Sequence, residues 1–205
     1  MADKYFRFSD LAAHEREGTD FRIHVVDRAS AVLIVAPHGG EIEPGTSQIA
    51  ASIATGEFSL YCFEGLRPGR PHGDLHITSD RFDEPRGCRL ADAAEIIVGV
   101  HGRMDRNDPD TVWLGGLNEA LRDAVGEELK RSGFKARTTG HDLPGNHPRN
   151  ICNRGRGKAG VQLELPRALR DALRGDAVRL EAFGAAVRSA IKRRLLVKGE
   201  HPGSI

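Results

Sequence analysis

Apolar positions along the chain fall into short runs divided by polar, glycine- and proline-rich turns, and the runs follow two periods. Val32-Leu33-Ile34-Val35-Ala36 and Ile96-Ile97-Val98-Gly99-Val100 are nearly unbroken, the pattern of strands covered on both faces. Phe21 to Asp27 alternates instead, with Phe21, Ile23 and Val25 on one side. Arg28-Ala29-Ser30 makes a tight connection to the run at Val32, which predicts an edge hairpin of the two. Further strands are predicted over Phe58 to Phe63, Thr111 to Leu114, Phe134 to Thr138 and Val161 to Leu165, with a short extended piece at Leu75 to Thr78. Helical spacing places helices over Phe8 to Glu15, Gln48 to Thr55, Arg86 to Ala93, Arg167 to Leu173 and Ala177 to Leu195. The clearest carries Leu117, Leu121, Val125 and Leu129 at every fourth position and stops at Gly133. Strands and helices alternating in this way predict one α/β domain over residues 1–205, an open mixed sheet flanked by helices.

Two of the buried-type strands end in the same manner. The first runs into Pro37-His38-Gly39-Gly40-Glu41-Ile42-Glu43-Pro44-Gly45, after which Thr46 or Ser47 can cap a helix. The second stops at His101-Gly102. Ligands of open α/β sheets gather outside the carboxyl ends of strands. A zinc site that does chemistry commonly takes three histidine or carboxylate ligands and leaves a position open. His38, His101 and either Glu41 or Glu43 are such a set if the two strands are neighbours. The plainer reading is that each histidine is an ordinary hydrogen-bonded group and that the glycines only turn the chain.

Val161-Gln162-Leu163-Glu164-Leu165 adds a carboxylate where a covered sheet should not have one. Val161, Leu163 and Leu165 share one face, Gln162 and Glu164 the other. Beside a metal, Glu164 could act as general base; on an edge strand it would simply be solvated. The stretch from Gly140 to Gly160 is long for a loop within a domain, which points to function. Its Arg149, Arg154 and Arg156 have the planar fork that reads carboxylates, or could form an ordinary basic loop. His76, Thr78, Ser79 and His147 are polar groups of the candidate loops, and Asn150 and Asn153 could satisfy backbone groups there.

Composition narrows the partners. A formal charge of +1 gives no field for nucleic acid or an anionic membrane. The three cysteines, Cys62, Cys88 and Cys152, suit a reducing compartment, and the start of the chain lacks a signal-peptide core. A cytoplasmic, monomeric protein without nucleic-acid or membrane partners is expected. The rival readings are a cysteine hydrolase using Cys152 or Cys62 with a histidine, and a non-enzymatic nucleic-acid binder using the arginines around Arg154.

Several pieces occur together in order: Ala36 to Ser47, Leu75-His76-Ile77-Thr78-Ser79, Phe82-Asp83-Glu84-Pro85, Val100-His101-Gly102, Asn150-Ile151-Cys152-Asn153-Arg154 and Gly160 to Pro166. With them the chain resembles the phage and bacterial poly-γ-glutamate hydrolase family, whose members look like compact zinc carboxypeptidases. The resemblance implies Zn2+ held by His38, Glu43 and His101, and it favours Glu43 over Glu41. It implies Glu164 as catalytic base and Arg154 beside it as the arginine that orients a substrate carboxylate. His76, Ser79, Arg149, Arg156 and His147 are expected around the substrate. The expected activity is hydrolysis of γ-glutamyl amide bonds in an acidic polymer. A small N-acyl glutamate or a peptidoglycan γ-linkage is the alternative substrate. Release by host lysis is expected if the gene is phage-borne.

Overall fold

Seven strands lie in one sheet, and their order explains which of them could be unbroken apolar runs. The computed structural model describes residues 3–199; the outer ends of the expected domain, residues 1–2 and 200–205, lie outside the described residues. The strands are β1 (Phe21–Val26), β2 (Val32–Gly40), β3 (Ser59–Gly65), β4 (Ile96–Arg103), β5 (Thr111–Gly115), β6 (Lys135–Arg137) and β7 (Val161–Pro166). Across the sheet they run β1-β3-β2-β4-β7-β5-β6. β3, β2, β4 and β7 form a parallel centre, β1 and β5 attach antiparallel to β3 and β7, and β6 lies parallel to β5.

Helices α1 (Phe8–Ala12), α2 (Thr46–Ala54), α3 (Pro85–Ala93), α4 (Glu119–Arg131), α5 (Arg167–Gly175) and α6 (Ala177–Gly199) cover the two faces. Because side chains alternate along a strand, β2 feeds both layers. Val32, Ile34 and Ala36 join Ile49, Leu121, Val125, Phe183 and Val187 beneath α2, α4 and α6. Leu33 and Val35 join Tyr61, Phe63, Leu11, Phe82 and Leu90 on the side of α1 and α3. No helix among the described residues is long and apolar enough to cross a membrane.

The expected hairpin of the first two strands does not form. β1 pairs with β3, and β2 sits between β3 and β4. A strand buried on both faces gains most from a central place, while half-exposed β1 suits the edge. Leu75 to Thr78 is irregular rather than extended and follows a 3-10 turn over His72–Asp74. Helix α2 begins at Gly45 in the left-handed region, φ 101°, with no side-chain cap from Thr46 or Ser47. Helix α4 starts after Asn118, whose side chain accepts from Leu121 N, so Leu117 falls outside it and is exposed.

Residues 140–160 stay without repetitive structure apart from a 3-10 turn over Ile151–Asn153. Asn153 holds this loop together. Its Oδ1 accepts from Leu117 N and Gly160 N, and its Nδ2 donates to the carbonyls of Gly145 and His147.

Candidate metal centre and catalytic cleft

The strand ends are longer than the apolar runs suggest, and this sets where the histidines point. β2 continues to Gly40 and β4 to Arg103, so His38 and His101 are buried strand residues and not the first residues of loops. Simple alternation would send His38 to the side of α2, α4 and α6 with Ile34 and Ala36. Between Ala36 and Gly39 the β2–β3 register shifts, with Ala36 opposite Cys62 and Gly39 opposite Glu64. That extra residue is a bulge, which re-aims the side chain to the other face. Pro37, which has no N–H to give the ladder, marks it.

His38 Nε2 lies 2.8 Å from the Ile77 carbonyl and must donate to it. In the neutral ring Nδ1 then carries the lone pair. This atom is 3.3 Å from Glu43 Oε1 and 3.3 Å from His101 Nδ1. Glu43 is buried, its Oε2 accepting from Gly102 N at 2.6 Å. Glu41 is exposed on the same loop, so of the two carboxylates it is Glu43 that reaches the histidines. His72 Nε2 lies 3.5 Å and His76 Nε2 4.0 Å from Glu43 Oε1.

With His38 neutral, acceptor atoms face one another around a single buried point, which is a place for positive charge, either a proton on His38 or a bound cation. Burial drives the His101 ring down to about 3 and His76 down to about 4, the nearby His38 adding to both. Burial also opposes charge on His38, but the Glu43 carboxylate outweighs it and holds His38 above its ordinary value. Glu43 is itself held well below the carboxylate range despite burial, chiefly by His38. His101 Nδ1 is the nitrogen that faces His38 Nδ1, and among the described residues His101 Nε2 has no hydrogen-bond partner. Imidazole nitrogens with one carboxylate are a donor set that a divalent cation fits. The donor atoms of His38, Glu43 and His76 lie within 4.8 Å of one another, and His101 joins through His38.

Glu164 stands beside this cluster. It is the register partner of His101 across β4 and β7, and β7 is an interior strand between β4 and β5, not an edge. Gln162 Nε2 donates to Glu164 Oε1 at 2.8 Å, and Asn150 Nδ2 donates to Gln162 Oε1 at 2.8 Å. The carboxylate is oriented by a relay from the long loop. Burial, with the charge of Glu43, raises Glu164 well above the ordinary carboxylate range, and Arg103 and Arg170 act against that rise.

A cleft of about 990 Å³ opens over these groups, lined also by His76, Ser79 and His147. The arginines on its wall are Arg103, Arg106, Arg167 and Arg170, not those expected from the loop. Arg154 turns away and donates to the Phe82 carbonyl and to Cys88 Sγ, with Asp92 nearby. Arg156 lies 3.9 Å from Glu95 on the far side, and Arg149 is exposed outside the cleft. Arg170 donates to the carbonyls of Leu165, Pro44 and Arg103, and no salt-bridge partner of it occurs among the described residues. Gly102 allows this approach, since a Cβ there would lie 2.5 Å from the Arg170 guanidinium carbon. Arg103 stacks on Trp113 at 3.7 Å and donates to four backbone carbonyls.

Some of these groups had a signal in the sequence. His72 and His76 are four apart, and Arg170 interrupts the apolar stripe of Leu169 and Leu173. A charged residue at a core position of a helix marks a buried role. Arg103 had no such mark. The cysteine alternative finds no activated thiol. Burial pushes Cys62 up to about 12, and it raises Cys152 too.

An α/β sheet with buried histidines, a carboxylate and a second, raised carboxylate at its strand ends has the groups that a metal-dependent hydrolase uses. The family model for poly-gamma-glutamate hydrolase matches residues 5–183, and the chain belongs to that family. It is 33% identical over 175 residues to the UPF0714 protein YndL of Bacillus subtilis (strain 168), covering 84% of this chain and 68% of YndL. The SPbeta prophage-derived UPF0714 protein YoqZ of the same strain is 36% identical over 167 residues, and the chain spans 59% of its length. A bacteriophage poly-gamma-glutamate hydrolase structure superposes with TM-score 0.88 at 30% identity, covering 96% of this chain and 100% of that one. The zinc-free apo form of YndL superposes with TM-score 0.84 at 31% identity, covering 93% and 98%.

Proposed function

We propose that this hydrolase cleaves the γ-glutamyl amide bonds of poly-γ-glutamate with a zinc ion held by His38, Glu43 and His101. The observation that carries the reading is the convergence of the three donor groups on one buried point next to Glu164. YndL, a relative solved in a zinc-free form, supports zinc as the cation. When bound, such an ion acidifies water and polarises a carbonyl.

The chain's own residues supply the rest. Glu164 takes the proton of the attacking water and returns it to the departing amide nitrogen. Gln162 and Asn150 keep the carboxylate aimed while it does so. The Gly102 N–H fixes Glu43 in place. Arg170 and Arg103, held by backbone carbonyls, set a positive potential that favours the negative charge developing on the carbonyl oxygen. Arg106 and Arg167 at the cleft wall meet the carboxylates of the substrate, each in exchange with the acidic partner it holds now, Asp142 and Asp171. A cleft of about 990 Å³ lies at the upper end of small-ligand sites and accommodates an extended polymer better than a lone N-acyl glutamate.

Product analysis on the purified protein tests this. Poly-γ-glutamate of graded lengths should be shortened, the rate should vanish on chelation, and zinc should restore it. Cleavage of small N-acyl glutamates with the polymer left intact would remove the substrate assignment. An undiminished rate in metal-stripped protein would remove the metal.

A further inference from the structure

The outward nitrogen of His76 meets a carboxylate from far away in the sequence. His76 Nδ1 lies 2.7 Å from Asp3 Oδ1, across 73 residues. The other oxygen, Asp3 Oδ2, accepts from Thr78 N at 2.9 Å and from an Arg81 nitrogen at 3.1 Å. Asp3 is shut away from solvent, with 8% of its side chain exposed. An ionised carboxylate only accepts, so the proton of a neutral His76 must sit on Nδ1 and the lone pair on Nε2.

That lone pair faces inward. His76 Nε2 is 4.0 Å from Glu43 Oε1, and the ring lies against His38 with centroids 3.9 Å apart and the planes tilted by 35°. Two acceptors that close, in a buried place, repel unless positive charge lies between them. A carboxylate behind a ligating histidine is the arrangement that fixes tautomer and ring orientation and makes the nitrogen a better donor.

We propose that Asp3 is a positioning residue for the metal centre: it locks His76 in the tautomer whose lone pair faces His38 and Glu43, and His76 is thereby a further donor to the cation. The inference rests on the metal reading above. It makes a residue outside the cleft control how tightly the ion is held.

Zinc affinity of the full chain, measured by competition with a chromophoric chelator, tests it without substrate. Thermal melts of the metal-free proteins report folding. Asp3→Asn should weaken zinc about ten- to a hundredfold, and His76→Ala by a similar factor. The double variant should be no weaker than His76→Ala alone, because both changes remove one interaction. Arg81→Gln, which takes another partner from Asp3 but leaves the His76 hydrogen bond, should stay within about threefold of the parent. Parent-like affinity in Asp3→Asn, losses that multiply in the double variant, or an equal loss in Arg81→Gln overturns the proposal. If Asp3→Asn does not fold, His76→Ala decides alone, and parent-like affinity there overturns it. His38→Ala separates the two levels. Parent-like affinity in that variant removes the metal reading together with this inference, whereas a loss there with none in Asp3→Asn removes only the role of Asp3.

Discussion

Glu164 and His101 are register partners on neighbouring parallel strands, so the sheet itself sets a carboxylate beside an imidazole. No loop has to fold to bring them together. Glu164→Gln keeps the side chain's size and should leave zinc content unchanged. Turnover of poly-γ-glutamate should fall roughly 100- to 10,000-fold, the usual contribution of a general base. A variant with close to parental turnover would show that the proton goes elsewhere.

On the metal reading proposed above, the buried donor groups around Glu43 bind zinc in the folded state better than the unfolded chain does. Zinc at about a hundred times its Kd adds about 2.7 kcal/mol to the folded state. For a chain of this size that raises the melting temperature by roughly 5–10 °C. Scanning calorimetry with and without chelator reads the shift directly. Glu43→Gln should abolish it, and a melting temperature indifferent to zinc in the parent would contradict the site.

The arginines of the cleft wall and those of the long loop should separate kinetically. Arg106→Ala and Arg167→Ala each remove an exposed charge from the cleft and should raise KM for the polymer roughly two- to fivefold, with kcat little changed. Arg154→Ala should leave both constants near the parent's while lowering stability by about 1–3 kcal/mol, because Arg154 donates to Phe82 and Cys88 beside α3, outside the cleft. A large KM effect at Arg154 alone would restore the assignment that the sequence suggested.

An acid-sensitive ion cluster ties the segment ahead of β1 to the turn before His72. Glu15 accepts from Arg70, Tyr5 and Lys4. Burial works against its charge, but these donors outweigh it and bring Glu15 down from 4.5 to about 2. A folded-state value below the unfolded one means the contribution is complete above 4.5 and is lost as pH falls toward 2. Urea titrations across that range should show Glu15→Gln with a flatter acid limb than the parent. Parallel acid limbs in the two proteins would refute the linkage.

Much of the fold could be read from local pattern. The unbroken runs at Val32 and Ile96 are central strands, and the alternation of Val161 to Leu165 put Glu164 on the face away from α2, α4 and α6. Expecting β1 and β2 to form a hairpin was natural from so short a connection, but strand order depends on what each strand buries on both faces, which local sequence does not state. The arginines failed for a similar reason. Arg154 lies four residues from Asn150, which does reach the site relay, yet beyond the 3-10 turn between them its side chain goes to Phe82 and helix α3 instead of the cleft.

From the sequence by itself came the α/β class, the two histidines, the choice of strand ends as the place for chemistry and the odd carboxylate at Glu164. These follow from side-chain periodicity and from the donor chemistry of each residue, both local properties. Tertiary structure decided that Glu43 is buried while Glu41 is exposed, that the bulge at Pro37 turns His38 toward His101, that Arg103 and Arg170 line the cleft, and that Asp3 reaches His76. Those are matters of distance between segments far apart in the chain, fixed only when the sheet is assembled and its two faces are filled.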